Sequence, residues 1–232
     1  MEKIQEVARL CNKLFMLHSR ETIPKELFFP VLDKLKKIQA EDIKFDESMI
    51  DDIKNRDNPA PVTYMALKES DKYTMSVFIL KKDHGGALPL HDHPNMHGML
   101  KVINGKVKLT SYSVTNSMPL PYDPSGNFGS SLTEEVKTVI KNDDVILSAE
   151  DDPCFLSPTV GNIHEISPIT PIAAFLDILA PPYNGIDRDC HYYSEIKVPR
   201  DQIKSNIRWL QRTFQPDSYW CDTIKYKGPL LE

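Results

Sequence analysis

The sequence contains little cysteine and no pattern that would pair it into a disulfide framework. Only four cysteines occur in the 232 residues, at positions 11, 154, 190 and 221, and their spacing is irregular. Small secreted domains that depend on disulfides carry denser and more regular cysteines. The sequence therefore indicates a reducing compartment, and we expect the cytoplasm, with the nucleus as an alternative.

Long apolar runs and clusters of positive charge are also absent. No run in the sequence approaches the roughly 20 apolar residues that a helix needs to cross a bilayer. The chain has 28 basic and 33 acidic residues, a net charge of −5, and its lysines and arginines are dispersed. Because nucleic acids and anionic membranes attract clustered positive charge, we expect neither as a partner.

The hydrophobic pattern that is present predicts two helices followed by many short strands. Apolar residues recur at helical spacing over 4–17 and again after Pro24, where Pro30 would distort the early turns. Shorter extended segments between turn signals predict strands at 63–66, 73–81, 98–103, 106–113, 134–140, 144–147, 163–166 and 172–179.

This order of elements predicts one domain over 1–232. It consists of a helical segment at 1–42, a barrel core at 62–180, and C-terminal loops and strands at 181–232. A polar loop rich in proline, glycine and asparagine at 114–133 is expected at the barrel surface.

Three histidines in two separate motifs carry the strongest chemical signal. His91 and His93 are one residue apart in a segment that reads as extended, and residues i and i+2 of a strand point to the same face. His164 follows Gly161, which permits a tight turn that would carry the histidine back toward the first pair. These three side chains are predicted to bind one metal ion.

The spacing of the two motifs resembles that of the cupins. Residues 85–97 follow the pattern G-x5-H-x-H-x3-H, which is the first cupin motif except that glutamate normally stands last. Residues 158–164 follow the second motif, P-x2-G-x2-H. The resemblance implies an all-β double-stranded β-helix, a jelly-roll-like barrel, with the N-terminal helices packed outside.

His97 occupies the place of the usual cupin glutamate, so the predicted ligand set is neutral. A divalent cation among three neutral histidines keeps its full charge, which attracts an anionic ligand and favours thiolate over thiol. Three protein ligands also leave coordination positions open, as in the non-haem Fe(II) oxygenases. We therefore predict oxidation of a metal-bound thiol. His97 is either a fourth ligand or, as the open positions favour, a residue beside the ligands or in the pocket.

Three stretches closely resemble the family of cysteamine (2-aminoethanethiol) dioxygenases and plant cysteine oxidases: HDHPNMHGMLKV at 91–102, FLDILAPPY at 175–183 and DCHYY at 189–193. The resemblance covers most of the chain. It implies Fe(II) as cofactor, bound by His91, His93 and His164. It also implies that Asp177 is important for turnover and that Tyr183 is a pocket tyrosine.

The same resemblance bears on cross-linked side chains. In the related free-cysteine dioxygenases a cysteine at the position of Gly98 is joined to a tyrosine, and glycine cannot form that bond. A different cross-link, between Cys190 and Tyr192, is implied by the cysteamine enzymes.

For Asp177, in an apolar strand, two interpretations remain: a hydrogen-bonded anchor for the neighbouring loop, or a group that orients the substrate amine. Tyr183 could equally pack as a surface aromatic.

The family implies addition of both atoms of dioxygen to the thiol of cysteamine or of an N-terminal cysteine, giving the sulfinic acid. With Cys-initiated peptides as substrates, the protein would act as an oxygen sensor for protein degradation. The partners expected are thus dioxygen and an aminothiol, with the protein acting as a monomer. Two other classes remain open: a cupin isomerase or hydrolase that uses another divalent metal, and a non-catalytic cupin binding protein.

Overall fold

In the computed structural model, which describes residues 2–18, 23–56, 59–115, 136–197 and 206–232, helices come first and strands follow. The helices are α1 (Glu2–Leu17), α2 (Phe29–Leu35) and α3 (Glu47–Lys54), with short 3-10 segments at Lys25–Phe28, Ala40–Ile43 and Lys82–His84. The strands are β1 (Val62–Glu69), β2 (Thr74–Lys81), β3 (Leu88–His91), β4 (His97–Asn104), β5 (Lys106–Val114), β6 (Val136–Lys141), β7 (Val145–Ser148), β8 (Cys154–Leu156), β9 (Ile163–Pro168), β10 (Ile172–Ala180), β11 (Tyr192–Glu195), β12 (Ile207–Thr213) and β13 (Cys221–Thr223).

The strands form two sheets, and their order defines the architecture. One sheet runs β13-β1-β2-β10-β4-β8 and the other runs β6-β12-β11-β3-β9-β5-β7. Except for the parallel β1–β13 pair, the pairings are antiparallel, and the chain passes repeatedly from one sheet to the other. This is the topology of a double-stranded β-helix, so the predicted fold class is confirmed.

The N-terminal helices cover the outer face of the first sheet. Strand β10 shows this most clearly, because its side chains alternate between two apolar clusters. Ala174, Leu176 and Ile178 pack among helix residues, whereas Ala173 and Phe175 face the interior between the sheets. Asp177 follows the same alternation as Ala173 and Phe175, which places its carboxylate inside the barrel.

The helical segment is longer than predicted. Helix α2 begins after a 3-10 turn and carries Pro30 in its first turn, where proline is tolerated because the missing N–H needs no partner. Helix α3, which the sequence pattern did not predict, is preceded by the N-cap residue Asp46, whose carboxylate accepts a hydrogen bond from the Met49 amide at 2.9 Å. The helical part therefore extends to Lys54 rather than ending at residue 42.

Strands β3 and β8 were also missed, and β11, β12 and β13 lie in the C-terminal segment that was predicted to contain loops and strands without stated bounds. Segments of three or four residues, such as β3 and β8, are too short to establish an alternating pattern. The predicted strand 134–140 is described only from Val136 onward, and the predicted polar loop lies outside the described residues except for its first two positions. None of the helices in the described part of the chain is long and apolar enough to cross a membrane.

Candidate metal centre

His91, His93 and His164 converge inside the barrel. Strand β3 pairs with β9, and His91 lies directly opposite His164 in that pairing. All three side chains are buried, their ligand nitrogens lie within 4.8 Å of one another, and Nε2 of His93 is 3.3 Å from Nε2 of His164. The structure thus brings together the three histidines that the two motifs single out.

The prediction that His91 and His93 lie on one face of a single strand was wrong. Strand β3 ends at His91, and His93 lies in the turn that follows. The side chain of Asn162 holds this turn in place. Its amide nitrogen donates to the main-chain oxygen of His93 at 2.7 Å, and its oxygen accepts from the His93 amide at 3.1 Å. Sequence analysis overlooked Asn162, whose only signal was its position inside the second motif.

The outward-facing nitrogens of the three rings are each occupied by a fixed partner. Nδ1 of His91 lies 2.7 Å from the carbonyl oxygen of Pro89, and Nδ1 of His93 lies 2.7 Å from the hydroxyl of Tyr183. The His164 ring is hydrogen-bonded to the carbonyl of Gly161, whose φ of +63° forms the predicted turn. Hydrogen bonds of this kind fix the tautomer that carries the proton on the outer nitrogen. For His91 and His93 this leaves Nε2 free for a metal.

The histidines are also held in the neutral form that a metal requires. Burial, and then the proximity of His91, lowers the pKa of His164 to about 3. Burial, together with the charges of His91 and His164, lowers the pKa of His93 well below its usual value, and burial lowers that of His91. Neutral rings whose lone pairs face one another with little room between them fit a divalent cation.

A pocket of about 210 Å³ opens onto the three histidines. Its remaining walls are mostly apolar or aromatic: Phe78, Leu88, Pro89, Ile166, Phe175, Leu179, Tyr183, Cys190, Tyr192 and Tyr219. Asp177 is the one acidic residue among the described lining residues, and none of them is a lysine or an arginine. The pocket therefore offers a carboxylate to a cationic group and no cation to a substrate carboxylate.

Asp177 is half-buried, and its carboxylate has no hydrogen-bond donor among the described residues. Desolvation raises the pKa of this carboxyl from 3.8 to about 7. The structure thus gives no support to Asp177 as a hydrogen-bonded anchor for the neighbouring loop. An uncompensated carboxylate that lines the pocket beside the histidines is instead available to a ligand.

Tyr183, Cys190 and Tyr192 form one wall of the pocket. Tyr183 is not a surface aromatic, because its hydroxyl contacts His93 and donates to the main-chain oxygen of Asp92 at 2.6 Å. Burial raises the pKa of Cys190 to about 11, an effect that the nearby hydroxyls of Tyr183 and Tyr192 partly offset. Cys190 is therefore a thiol at neutral pH. It lies within hydrogen-bonding reach of Tyr192, the partner in the predicted cross-link.

His97 lies away from the other histidines, which corrects the expectation of a fourth ligand or a residue beside the ligands. It is buried on the helix-covered side of β4, with its ring stacked 5.2 Å from that of Phe28, and its Nε2 has no partner among the described residues. The adjacent Gly98 faces the interior. A Cβ at Gly98 would lie 2.8 Å from Leu156 and 3.0 Å from Leu179, so the barrel leaves no space for a side chain there.

A double-stranded β-helix whose interior carries three converging neutral histidines is a cupin with a metal-binding site. The PCO_ADO family model matches residues 34–231, and the chain belongs to this family. It is similar to the 2-aminoethanethiol dioxygenase of Homo sapiens, with 38% identity covering 74% of this chain and 69% of that protein. It is also similar to plant cysteine oxidase 2 of Arabidopsis thaliana, with 26% identity covering 99% of this chain and 83% of that protein.

Among solved structures, a double-stranded β-helix protein from Klebsiella pneumoniae superposes with a TM-score of 0.36 at 16% identity. That superposition covers 61% of this chain and 85% of the other.

Proposed function

We propose that the protein is a thiol dioxygenase that uses Fe(II) held by His91, His93 and His164. The observation that carries the proposal is the combination, in one pocket, of a neutral three-histidine site and an uncompensated carboxylate. The names of the relatives, 2-aminoethanethiol dioxygenase and plant cysteine oxidase, support the same chemistry. When bound, Fe(II) would supply the redox chemistry that joins dioxygen to sulfur.

The reaction balances without an external reductant. A thiol RSH and O₂ give the sulfinic acid RSO₂H, in which sulfur loses four electrons and dioxygen gains four. Two S–O bonds form, the O–O bond breaks, and the thiol proton is retained by the product or released to solvent. No second redox partner is required.

The substrates proposed are aminothiols that lack a carboxylate next to the amine. Asp177 would pair with the substrate ammonium, and this pairing would compensate the desolvation of its carboxylate. No lysine or arginine among the described lining residues is available to hold the carboxylate of free cysteine. Cysteamine and the N-terminal cysteine of a peptide both meet this description. A peptide substrate would connect the reaction to oxygen sensing.

The pocket walls would orient the substrate and exclude water. Tyr183 contacts His93, while Phe175, Leu179 and Ile166 supply apolar wall to the pocket onto which the three histidines open. Exclusion of water strengthens the ion pair to Asp177 and limits side reactions with solvent during the oxidation. Because one chain supplies all of these groups, a monomer is sufficient for activity.

The experiment that tests the proposal is a substrate competition. Protein reconstituted anaerobically with Fe(II), Mn(II), Ni(II) or Zn(II) is exposed to oxygen with equal amounts of cysteamine, a Cys-initiated peptide and free cysteine. We expect sulfinic acid only with Fe(II), and from the first two substrates far more than from free cysteine. Sulfinic acid formed from free cysteine at an equal rate would contradict the proposal that the pocket, with the Asp177 carboxylate, disfavours a substrate carboxylate. Product formed equally with Zn(II) would contradict the redox role of iron.

A further inference from the structure

Asp92, the residue between the two histidines of the first motif, is tied through all its polar groups to other parts of the fold. It is 1% exposed. Its main-chain N–H donates to the His191 carbonyl at 3.1 Å, and its carbonyl accepts from the Tyr183 hydroxyl at 2.6 Å. The position of Asp92 is therefore fixed by the segment that runs from Tyr183 to His191 rather than by the strand that precedes it.

The carboxylate of Asp92 contacts donor groups on two strands of the second sheet, β6 and β11, and on the residue that directly precedes β11. It accepts from the Tyr193 hydroxyl at 2.7 Å and from the His191 amide at 2.9 Å, and it lies 3.1 Å from Nδ1 of His191. It also forms an ion pair with Lys137 on β6 at 3.1 Å. A buried carboxylate satisfied this completely holds its surroundings in one arrangement.

The hydrogen bonds of Asp92 help to fix the orientation of His93, which strand β3 does not fix. Because β3 ends at His91, the sheet does not fix the orientation of His93. Asp92 fixes it from one side through the main chain and through Tyr183, whose hydroxyl contacts both the Asp92 carbonyl and Nδ1 of His93. Asn162 holds the main chain of His93 from the other side, and the Asp92 network adds the contact that directs the ring and its Nε2 atom toward His91 and His164.

The network also reaches the substrate pocket. Cys190 and Tyr192, which line the pocket wall, are the immediate neighbours of His191, whose amide and ring both contact the Asp92 carboxylate. We infer that Asp92 is a positioning residue that holds His93 and the Cys190–Tyr192 wall in a common register, so that metal site and substrate pocket are built as one unit. The inference depends on the assignment of the three histidines as metal ligands and not on the identity of the substrate.

The test uses Asp92→Asn and a matched control, Asp42→Asn. Asp42 is also a buried carboxylate that accepts from a lysine, Lys3 at 2.9 Å, and from a main-chain amide, Gln39 at 3.0 Å, but it lies among the N-terminal helices. Co(II) titrations, followed by absorption, measure metal affinity, and mass spectrometry after iodoacetamide treatment measures the alkylation rate of Cys190. Thermal unfolding of each variant gives the general loss of stability.

We expect Asp92→Asn to weaken Co(II) binding about 10- to 100-fold, as is typical when a residue that orients a metal ligand is changed. Alkylation of Cys190 should become several-fold faster. Asp42→Asn should lower the unfolding temperature by a similar amount and leave both quantities within twofold of the wild type. Wild-type Co(II) affinity in Asp92→Asn, or an equal loss of affinity in Asp42→Asn, would overturn the inference.

Tyr193→Phe provides the second variant in case Asp92→Asn does not fold. It removes one donor to the carboxylate and leaves Asp92 in place. A smaller loss of Co(II) affinity with faster Cys190 alkylation is expected, and wild-type values of both would overturn the inference. Neither measurement involves turnover. Failure of the proposed thiol oxidation would therefore appear separately, as a wild-type protein that binds metal but forms no sulfinic acid.

Discussion

The hydroxyl of Tyr183 lies 2.7 Å from Nδ1 of His93 and so orients one of the three converging histidines. With its proton donated to the Asp92 carbonyl, this hydroxyl accepts the Nδ1 proton of His93 and directs Nε2 toward the other two histidines. On the proposed assignment of the ligands, Tyr183 would act on the metal through His93, in addition to forming part of the pocket wall.

Tyr183→Phe should weaken metal binding while leaving the fold intact. Loss of the acceptor at Nδ1 allows the wrong tautomer of His93, and we expect about a tenfold loss of Fe(II) affinity. Dialysis against a chelator followed by iron analysis measures it. The control is Tyr73→Phe, which removes a buried hydroxyl bonded to the Ala8 carbonyl at 3.2 Å in the helix-covered core. If both variants retain iron equally, the orienting role of Tyr183 is wrong.

His164→Ala should abolish metal binding and turnover together. Two remaining histidines on the short His91–His93 turn cannot replace the ligand that the opposite strand supplies. We expect less than a tenth of the wild-type iron content after reconstitution, measured by elemental analysis. His84→Ala, at an exposed position in the 3-10 turn before β3, should retain full iron content. Stoichiometric iron in His164→Ala would remove His164 from the ligand set.

Metal affinity should depend little on pH between 6 and 8. If the three histidines had the ordinary pKa of 6.5, protons would compete with the metal for every ligand. The metal affinity would then fall by up to about tenfold per ligand for each pH unit below 6.5. Here burial lowers the folded-state pKa of all three rings, that of His164 to about 3, so protons compete less with the metal over this range. Co(II) titrations at pH 6, 7 and 8 check the prediction. A decrease in affinity of tenfold or more from pH 8 to pH 6 would contradict it.

Asp177→Asn should make the metal-free protein more stable and less active. The folded-state pKa of about 7 lies above the ordinary 3.8, so the folded form keeps a proton that the unfolded form loses. The stability that this proton contributes is complete below pH 3.8 and is lost as the pH rises through about 7. At pH 8 the neutral amide should therefore raise the free energy of unfolding by about 1–3 kcal/mol, as measured in urea.

The control for Asp177→Asn is Asp222→Asn, for which the opposite sign is expected. Hydrogen bonds from Thr63 and Arg56 and the charge of Lys81 lower the pKa of the Asp222 carboxyl despite its desolvation. Its ionised form thus stabilises the fold at neutral pH, and the amide should destabilise it. For activity, Asp177→Asn should raise the KM for cysteamine at least tenfold, because the ammonium loses its partner. An unchanged KM would show that Asp177 does not bind the amine.

The sequence predicted the parts of the site that depend on local spacing. The two histidine motifs identified the three converging side chains, and the apolar strand around Asp177 identified a carboxylate in an unfavourable setting. Both signals are readable because the spacing of a motif, the turn at Gly161 and an apolar strand are properties of a few consecutive residues. The same locality explains why eight of the strands and the first two helices could be predicted.

Contacts between distant segments could not be predicted. Asp92 is bonded to Lys137, 45 positions away, and to His191, 99 positions away, and nothing in the motif itself announces either partner. His97 was misplaced because its motif position indicated a fourth ligand or, as favoured, a residue beside the ligands or in the pocket, whereas the alternation along β4 turns it toward Phe28 and the helices. Whether a residue of a strand faces the helices or the barrel interior depends on how the strand is placed in its sheet, and the residues of the strand alone do not specify that placement.

The central claim is that the three-histidine pocket adds both atoms of dioxygen to an aminothiol. The most direct measurement is mass spectrometry of the product formed by the Fe(II)-loaded protein from cysteamine in ¹⁸O₂, with His164→Ala as the matched inactive protein. The account predicts a sulfinic acid that carries two ¹⁸O atoms with the wild type and none above background with the variant. Product that carries one labelled atom, or no labelled product despite stoichiometric iron, would contradict it.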